Sequence, residues 1–350
     1  MSQMMRAVVV RAPMDFAVQD VPVPACPPGG MLVRVLACGL CGSDLRTLRS
    51  GHHRVRLPYV IGHETSAEVV EVAPDAATAS RPGERLSIGP LAYCGRCRFC
   101  ADGRFELCEE YREIGQAWPG GLAQYMAVPA EAVRLGTIRR FGPDLDPAVA
   151  TLAEPLSSCI LAQEKGAIGL GDNVAILGGG PVGCMHLLLA RTRGANLVLM
   201  ADVSPQRLAL CRNFAPDHLL DASDPEFVSK VRSLTGGRGP DCVIVANPSP
   251  QSQVQAVEMA GRGGRVLLFG GLPPEQARPG INTNRIHYNA LTVTGTTIFA
   301  PRHHRTALDL LAGGRVDGRD LITHRLPLDQ FAYGADLALR GQALKVVFVP

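Results

Sequence analysis

The stretch that most constrains the fold is Gly178-Gly179-Gly180-Pro181-Val182-Gly183. It follows an apolar run over residues 173–177 and opens a helical pattern that continues through 187–189 to Arg193. Glycines at Gly178, Gly180 and Gly183 allow a tight turn and let backbone N–H groups approach a pyrophosphate at a helix N-terminus. Pro181 suits the first helical turn. A second apolar strand, residues 196–201, delivers Asp202, nineteen residues after Gly183. An acid there hydrogen-bonds the ribose hydroxyls of NAD and repels the extra phosphate of NADP. The competing role for Asp202 is the N-cap of the next helix, which Ser204 could fill equally well. Helices are expected over 204–214, 224–234 and 251–259, and strands over 242–246, 265–269 and 291–294. That alternation describes an α/β, doubly wound parallel sheet.

The N-terminal part has a different texture. β-branched runs at 6–10, 31–38 and 66–72 are punctuated by Pro22, Pro24, Pro27-Pro28-Gly29-Gly30 and Pro82-Gly83. Short strands at this spacing suggest a barrel-like or sandwich-like domain. At 350 residues, 46% of them hydrophobic and 19% charged, the chain can bury two cores, and disorder is excluded. A formal net charge of +3 without a basic run interleaved with aromatics argues against nucleic acid. The apolar segment 174–190 is broken by glycines and Pro181 and carries His186, so a membrane span is not expected. Neither is a signal peptide, and the chain reads as cytoplasmic.

Two groups of metal-ligating residue types lie in the N-terminal part. Cys94, Cys97, Cys100 and Cys108 follow the spacing C-x2-C-x2-C-x7-C. Four thiolates on one short knuckle can close a tetrahedral shell around zinc, and an iron–sulfur cluster is the competing occupant. Arg96, Arg98 and Arg104 are placed to offset the thiolate charge. The second group is Cys41-Gly42-Ser43-Asp44 and, farther on, Gly62-His63-Glu64. A thiolate, an imidazole and a carboxylate can make a three-ligand catalytic zinc site. Toward the C-terminus a helix is expected over 301–312, and the cluster Pro301-Arg302-His303-His304-Arg305 reads as a solvated helix start rather than an anion site. Strands at 323–328 and 344–349, with a helix over 328–340 between them, should pack back on the first domain.

Cys41 to Asp44, Gly62 to Glu64, the four-cysteine knuckle, Glu154-Pro155 and the glycine fingerprint come in an order that resembles the zinc-dependent medium-chain dehydrogenases, over nearly the whole chain. Leu152-Ala153-Glu154-Pro155-Leu156-Ser157 is most similar to the polyol branch of sorbitol, iditol and cyclitol dehydrogenases; the threonine branch usually has aspartate at position 154. The resemblance implies a GroES-like β-rich catalytic domain over residues 1–153 and 295–350, with a structural-zinc lobe near 90–110. It implies a Rossmann coenzyme domain over 154–294. It implies one catalytic Zn2+ at Cys41, His63 and Glu64, with Glu154 as a further ligand, and one structural Zn2+ at Cys94, Cys97, Cys100 and Cys108. It places NAD on Gly178, Gly180, Val182, Gly183, Asp202 and Arg207, and suggests a homodimer or homotetramer.

The reaction this implies is hydride transfer between NAD and a secondary alcohol or ketone, a polyol or cyclitol including an aminocyclitol. A threonine-type amino-alcohol or simple alcohol dehydrogenase is the alternative, and a non-catalytic nucleotide-binding protein on the same fold a remote one. Zinc acts as a Lewis acid on the alcohol, and Ser43, His63 and Glu154 are the catalytic residues, with Ser43 taking or passing the hydroxyl proton. Three positions depart from the family. Arg46 stands where a relay histidine is usual and cannot accept a proton, which leaves His52, His53 or water beside Glu154 as the outer end. Ile298 and Phe299 fall where sorbitol dehydrogenases place an Arg-Tyr pair, which predicts a less polar substrate pocket. Ala67 replaces a usual glycine and should matter little.

Overall fold

The computed structural model describes residues 3–52, 54–135 and 137–350. The chain divides into two compact units, one of residues up to Ser157 together with Phe299–Pro350, the other Ser158–Ile298. Both crossings fall a few residues later than the sequence places them.

The first unit is built on a sheet of seven strands among the described residues, in the order Ile138–Arg140, Arg85–Ile88, Glu64–Val72, Met31–Gly39, Lys345–Val349 and Ile322–Pro327, with Tyr125–Val128 also on Met31–Gly39. A three-stranded sheet of Asp15–Pro22, Met4–Ala12 and Tyr59–Val60 stands beside it. The core joins Val8, Val33, Val35, Leu48, Ile61, Val69, Leu86, Phe331 and Phe348. Register explains the site. Gly39 pairs with Glu64 and with Val347, so the ends of three strands distant in sequence meet at one place. Cys41 lies just past one of these ends, His63 just before another, and Lys345 opens the third.

The second unit is a six-stranded parallel sheet, ordered His218–Asp221, Leu197–Asp202, Asn173–Leu177, Cys242–Val245, Arg265–Leu268 and Thr292–Gly295. Its central strands are buried on both faces, which is why they read as continuous apolar runs. This 3-2-1-4-5-6 order reverses between Asn173–Leu177 and Cys242–Val245, the place where doubly wound sheets bind dinucleotides. The strand His218–Asp221 has no counterpart in the sequence reading; with only four residues it leaves little periodicity to detect.

Two expectations are corrected. His303 and His304 are buried, not solvated. His303 Nδ1 accepts the Ala300 N–H at 2.8 Å and so caps the helix Pro301–Ala312, while His304 lies between the Ser87 and Ser157 hydroxyls. Phe299 is fully buried, with its ring stacked on His304 at 6.1 Å and its carbonyl accepting the Tyr93 hydroxyl. It is a fully buried core residue of the first unit. Ile298, just before it, takes φ +41°, an uncommon conformation for a β-branched residue. Ala67 sits fully buried and pairs with Val35, next to a register shift between Val35 and Ala37.

Candidate active site

The helix Gly42–Ser50 begins directly after Cys41. Asp44, in its first turn, accepts the Cys41 N–H through Oδ2 at 3.0 Å and faces His63 Nδ1 through Oδ1 at 3.3 Å. One carboxylate therefore fixes the backbone of the thiol and the ring of the imidazole. With Nδ1 held this way, Nε2 is left to a metal, and Ser43 Oγ lies 3.4 Å from that same nitrogen. Burial pushes the His63 imidazole down, but Asp44 and Cys41 outweigh it and hold it well above its ordinary value.

Ligand atoms of Cys41, His63 and Glu64 all lie within 4.8 Å of one another. Glu64 is fully buried, and both its oxygens accept from Lys345 Nζ, at 2.7 and 2.8 Å. Lys345 also donates to the Leu40 carbonyl at 3.2 Å. Burial lowers the Lys345 ammonium, yet Glu64 and Cys41 more than compensate and keep it above its usual value. Gly39 makes room for this pair, since a Cβ there would stand 2.1 Å from Glu64 Oε2. The sequence reading assigned Glu64 to the metal alone; the structure divides its carboxylate between that cluster and a buried lysine.

Glu154, in the first turn of the helix Ala153–Lys165, stands outside the cluster of three but near it. Burial pushes its carboxyl up to about 8, with Glu64 and Glu113 adding and His63 and Lys345 opposing. Asp44 and Lys345 are the site residues that sequence reasoning missed. Asp44 sat inside a motif already noticed, and its place three residues after a helix start was the available signal. Of the relay candidates, His52 accepts the Arg54 N–H through Nδ1 at 3.2 Å, which takes that nitrogen out of a relay. His53 lies outside the described residues.

The four cysteines of the knuckle form a second cluster with their sulfurs within 4.8 Å. Cys94 N–H points to Cys108 Sγ at 3.3 Å, and Cys97 N–H to Cys94 Sγ at 3.4 Å. Backbone N–H groups of Glu109 and Cys100 bring the Cys97 thiol down to about 6. Burial acts the other way on two neighbours, raising the Cys100 thiol to about 12 and raising Cys108 as well. Four sulfurs so placed fit a soft, tetrahedral cation. The arginines are engaged mainly elsewhere, though Arg96 also feels the Cys94 sulfur. Arg96 pairs with Glu110 at 2.6 Å, Arg98 with Glu109 at 3.4 Å, and Arg98 and Arg104 lie over the Phe99 ring.

In the second unit Gly183 must be glycine, because a Cβ there would come within 1.9 Å of the Gly178 carbonyl oxygen. Ser204 caps the helix Pro205–Cys211, which frees Asp202 from that role. Asp202 Oδ2 accepts the Gly179 N–H at 2.7 Å and Oδ1 the Ser204 N–H at 2.8 Å, so the acid braces the glycine loop. The Arg207 guanidinium lies over Gly180. Val182 follows in the first turn of the helix Pro181–Thr192. Past the strand ends a cavity of about 480 Å³ is lined by Val203, Ser223, Asp224, Ser249 and Gln255.

Comparison with known proteins agrees with this arrangement. The alcohol dehydrogenase GroES-like domain matches residues 27–136, and the zinc-binding dehydrogenase domain matches residues 181–313. The chain is 31% identical to an L-threonine 3-dehydrogenase of Bacillus velezensis, over 95% of this chain and 94% of the relative. It is 29% identical to a sorbitol dehydrogenase of Bacillus subtilis, over 99% of this chain and 98% of the relative. A protein of Sinorhizobium meliloti described as a zinc-binding dehydrogenase, solved with NADP bound, superposes with a TM-score of 0.91 at 32% identity, covering 100% of both chains. The chain belongs to the zinc-dependent medium-chain dehydrogenases, oxidoreductases that use zinc and a nicotinamide dinucleotide. Its fold is the GroES-like domain joined to a Rossmann domain. No helix among the described residues is long and apolar enough to cross a membrane.

Proposed function

We propose that this chain is an NAD-dependent dehydrogenase of secondary alcohols, with a polyol or cyclitol as substrate. The observation that carries the reading is the wiring of Cys41, His63 and Glu64 into one cluster by Asp44 and Lys345. A cysteine, a histidine and a carboxylate suit a catalytic zinc, and Glu154 supplies a further carboxylate beside them. The four-cysteine knuckle would hold a structural zinc. Zinc, when bound, supplies Lewis acidity that eases loss of the alcohol proton. The chain's own part is to move that proton and to hold the coenzyme. Ser43 Oγ, beside His63 Nε2, takes or passes the hydroxyl proton. Asp44 keeps the His63 ring in the orientation that exposes Nε2. The glycine loop would take the pyrophosphate, Asp202 and Arg207 the ribose, and the cavity beyond them the adenine.

Asp202 would favour NAD over NADP by repelling a 2′-phosphate. The Sinorhizobium protein carries NADP, so this position needs its own test: the ratio of kcat/KM for the two coenzymes, in the parent and in Asp202→Ala. Equal use by the parent would remove Asp202 as the selector. Relatives named for threonine and for sorbitol stand at similar identity, so an amino alcohol is the second substrate class. The deciding experiment joins metal analysis with NADH formation on a panel of polyols, inositols and aminocyclitols. About two zinc ions per chain are expected, with turnover of at least one cyclic or linear polyol. Zinc-free protein as purified would sink the reading. A cytoplasmic homodimer or homotetramer completes it, and light scattering tests the assembly.

A further inference from the structure

Two thiols that belong to neither metal cluster meet beneath the glycine loop. Cys184 stands near the start of the helix Pro181–Thr192. Cys211 closes the helix Pro205–Cys211, where the chain tightens into the 3-10 turn Arg212–Phe214. Both side chains are fully buried, and their sulfurs lie 3.7 Å apart. Cys211 Sγ also donates to the Gly179 carbonyl at 3.3 Å. A carbonyl oxygen can only accept, so the one proton of Cys211 goes to Gly179, and the proton between the two sulfurs belongs to Cys184. The thiols therefore form a chain that runs from Cys184 through Cys211 and ends on the loop.

Gly179 is gripped at both of its backbone groups. Asp202 Oδ2 takes its N–H at 2.7 Å, and Cys211 supplies a donor to its carbonyl. A Cβ on Gly179 would stand 2.9 Å from Cys211 Sγ, so the sulfur fills the space of the missing side chain. Gly178, Gly179 and Gly180 cover the sulfurs with backbone alone, and a peroxide, little larger than water, reaches them through a local opening of that loop. Buried cysteines ordinarily serve as small apolar groups. This pair differs in its geometry, because closing 3.7 Å to the roughly 2.05 Å of a disulfide takes a shift of under about 2 Å. Cys211 loses its proton the more readily of the two. The Cys184 contact draws it down, with Arg207 adding and with burial and Asp202 opposing, whereas the same contact and burial hold Cys184 up.

We propose that Cys184 and Cys211 are a peroxide-sensitive dithiol whose oxidation to a disulfide weakens coenzyme binding. The Cys211 thiolate attacks one oxygen of hydrogen peroxide, the O–O bond breaks, and the departing hydroxide leaves as water with the thiol proton. The Cys184 sulfur then attacks the Cys211 sulfenic acid; the S–S bond forms, the S–O bond breaks, and a second water leaves with the Cys184 proton. Two electrons pass from the thiols to the peroxide. The bridge uses up both thiol protons, so the buried Gly179 carbonyl loses this donor, and the loop shifts to recover one. This rests on the glycine loop as the cradle of the coenzyme pyrophosphate. The test treats the zinc-loaded parent, Cys211→Ser and Cys184→Ala with a small excess of hydrogen peroxide. It maps linked peptides by mass spectrometry, and it measures zinc content and the Kd of NADH. The parent should give a peptide pair joined through Cys184 and Cys211, with zinc retained and a Kd raised at least about tenfold, all reversed by dithiothreitol. Reciprocity then requires saturating NADH to protect the pair, raising its reduction potential by about 30 mV for a tenfold effect. Neither variant should form the linked pair, and Cys211→Ser, which keeps a donor toward Gly179, should hold its untreated Kd. Absence of the link in the parent, a link with the Kd unchanged, or an equal rise in Cys211→Ser overturns the proposal. A reduced parent that binds neither NADH nor NADPH counts against the glycine loop as the cradle instead, while the peptide map still decides the disulfide.

Discussion

The four-cysteine knuckle and the Cys41, His63 and Glu64 cluster both gather metal-ligating side chains, and they are built in opposite ways. Cys94, Cys97, Cys100 and Cys108 are brought together by short turns, and their sulfurs take N–H groups from residues within the same loop. Cys41, His63 and Glu64 meet because three strand ends coincide, and a lysine 281 residues from Glu64 completes the arrangement. The knuckle lies at the surface, where its arginines pair with exposed acids. The catalytic cluster is buried, so each of its charges needs a counter-charge in place. A local site of the first kind can be lost without the sheet noticing; the second is tied to the core of its unit.

Substitution of single cysteines separates the two most sharply. Cys41→Ser should remove one of two zinc ions and lower kcat/KM by about a thousandfold or more, while the melting temperature changes little. Cys97→Ser should also cost one zinc, but its signature is proteolytic cleavage within residues 94–108 and a far smaller loss of turnover. Equal activity losses in the two would erase the distinction between a catalytic and a structural site. The next largest effect is expected at Lys345. Lys345→Met leaves the Glu64 carboxylate buried without its cation, which should cost about 3–5 kcal/mol of stability. Adding Glu64→Gln should recover a large part of it. Denaturant unfolding reads both, and a Lys345→Met variant as stable as the parent would show that Glu64 finds another partner.

The same contrast explains what the sequence could reveal. The knuckle and the glycine fingerprint are short-range patterns, so spacing alone identified them, and five of the six strands of the parallel sheet followed from their apolar runs. Cys41 and His63 were legible through their motifs, but the role of Lys345 was not. It stands first in an apolar terminal strand, and nothing local marks it as the counter-ion of a residue near position 64. Phe299 and His304 were misread because a buried imidazole between two hydroxyls looks, in sequence, like an exposed basic helix start. The arginines of the knuckle were assigned to the nearest negative charge in sequence, whereas Glu109 and Glu110, which follow the last cysteine, capture them.

Buried imidazoles carry the comparison to its finest level, because in the first unit His63 has a carboxylate beside it and His304 sits between hydroxyls. His63 has Asp44 and is held high. Burial pushes His304 down to about 4 from an ordinary 6.5, and the Ser87 contact raises it only in part. Between these two values the unfolded chain binds a proton at position 304 and the folded chain does not, so folding stability rises with pH across that window. The contribution is complete above 6.5 and is withdrawn as the pH falls toward 4. At pH 5 the loss relative to pH 7.5 should be about 2 kcal/mol, from 1.36 kcal/mol per unit. His304→Asn forfeits the stacking on Phe299 and lowers stability at every pH, but it should lose about 2 kcal/mol less than the parent between those two values. His186, buried in the second unit and pushed down to about 3, keeps its own acid-sensitive share in both proteins. Urea unfolding at pH 7.5 and 5.0 measures the difference, and parallel pH curves for parent and variant would mean that His304 accepts its proton in the folded state.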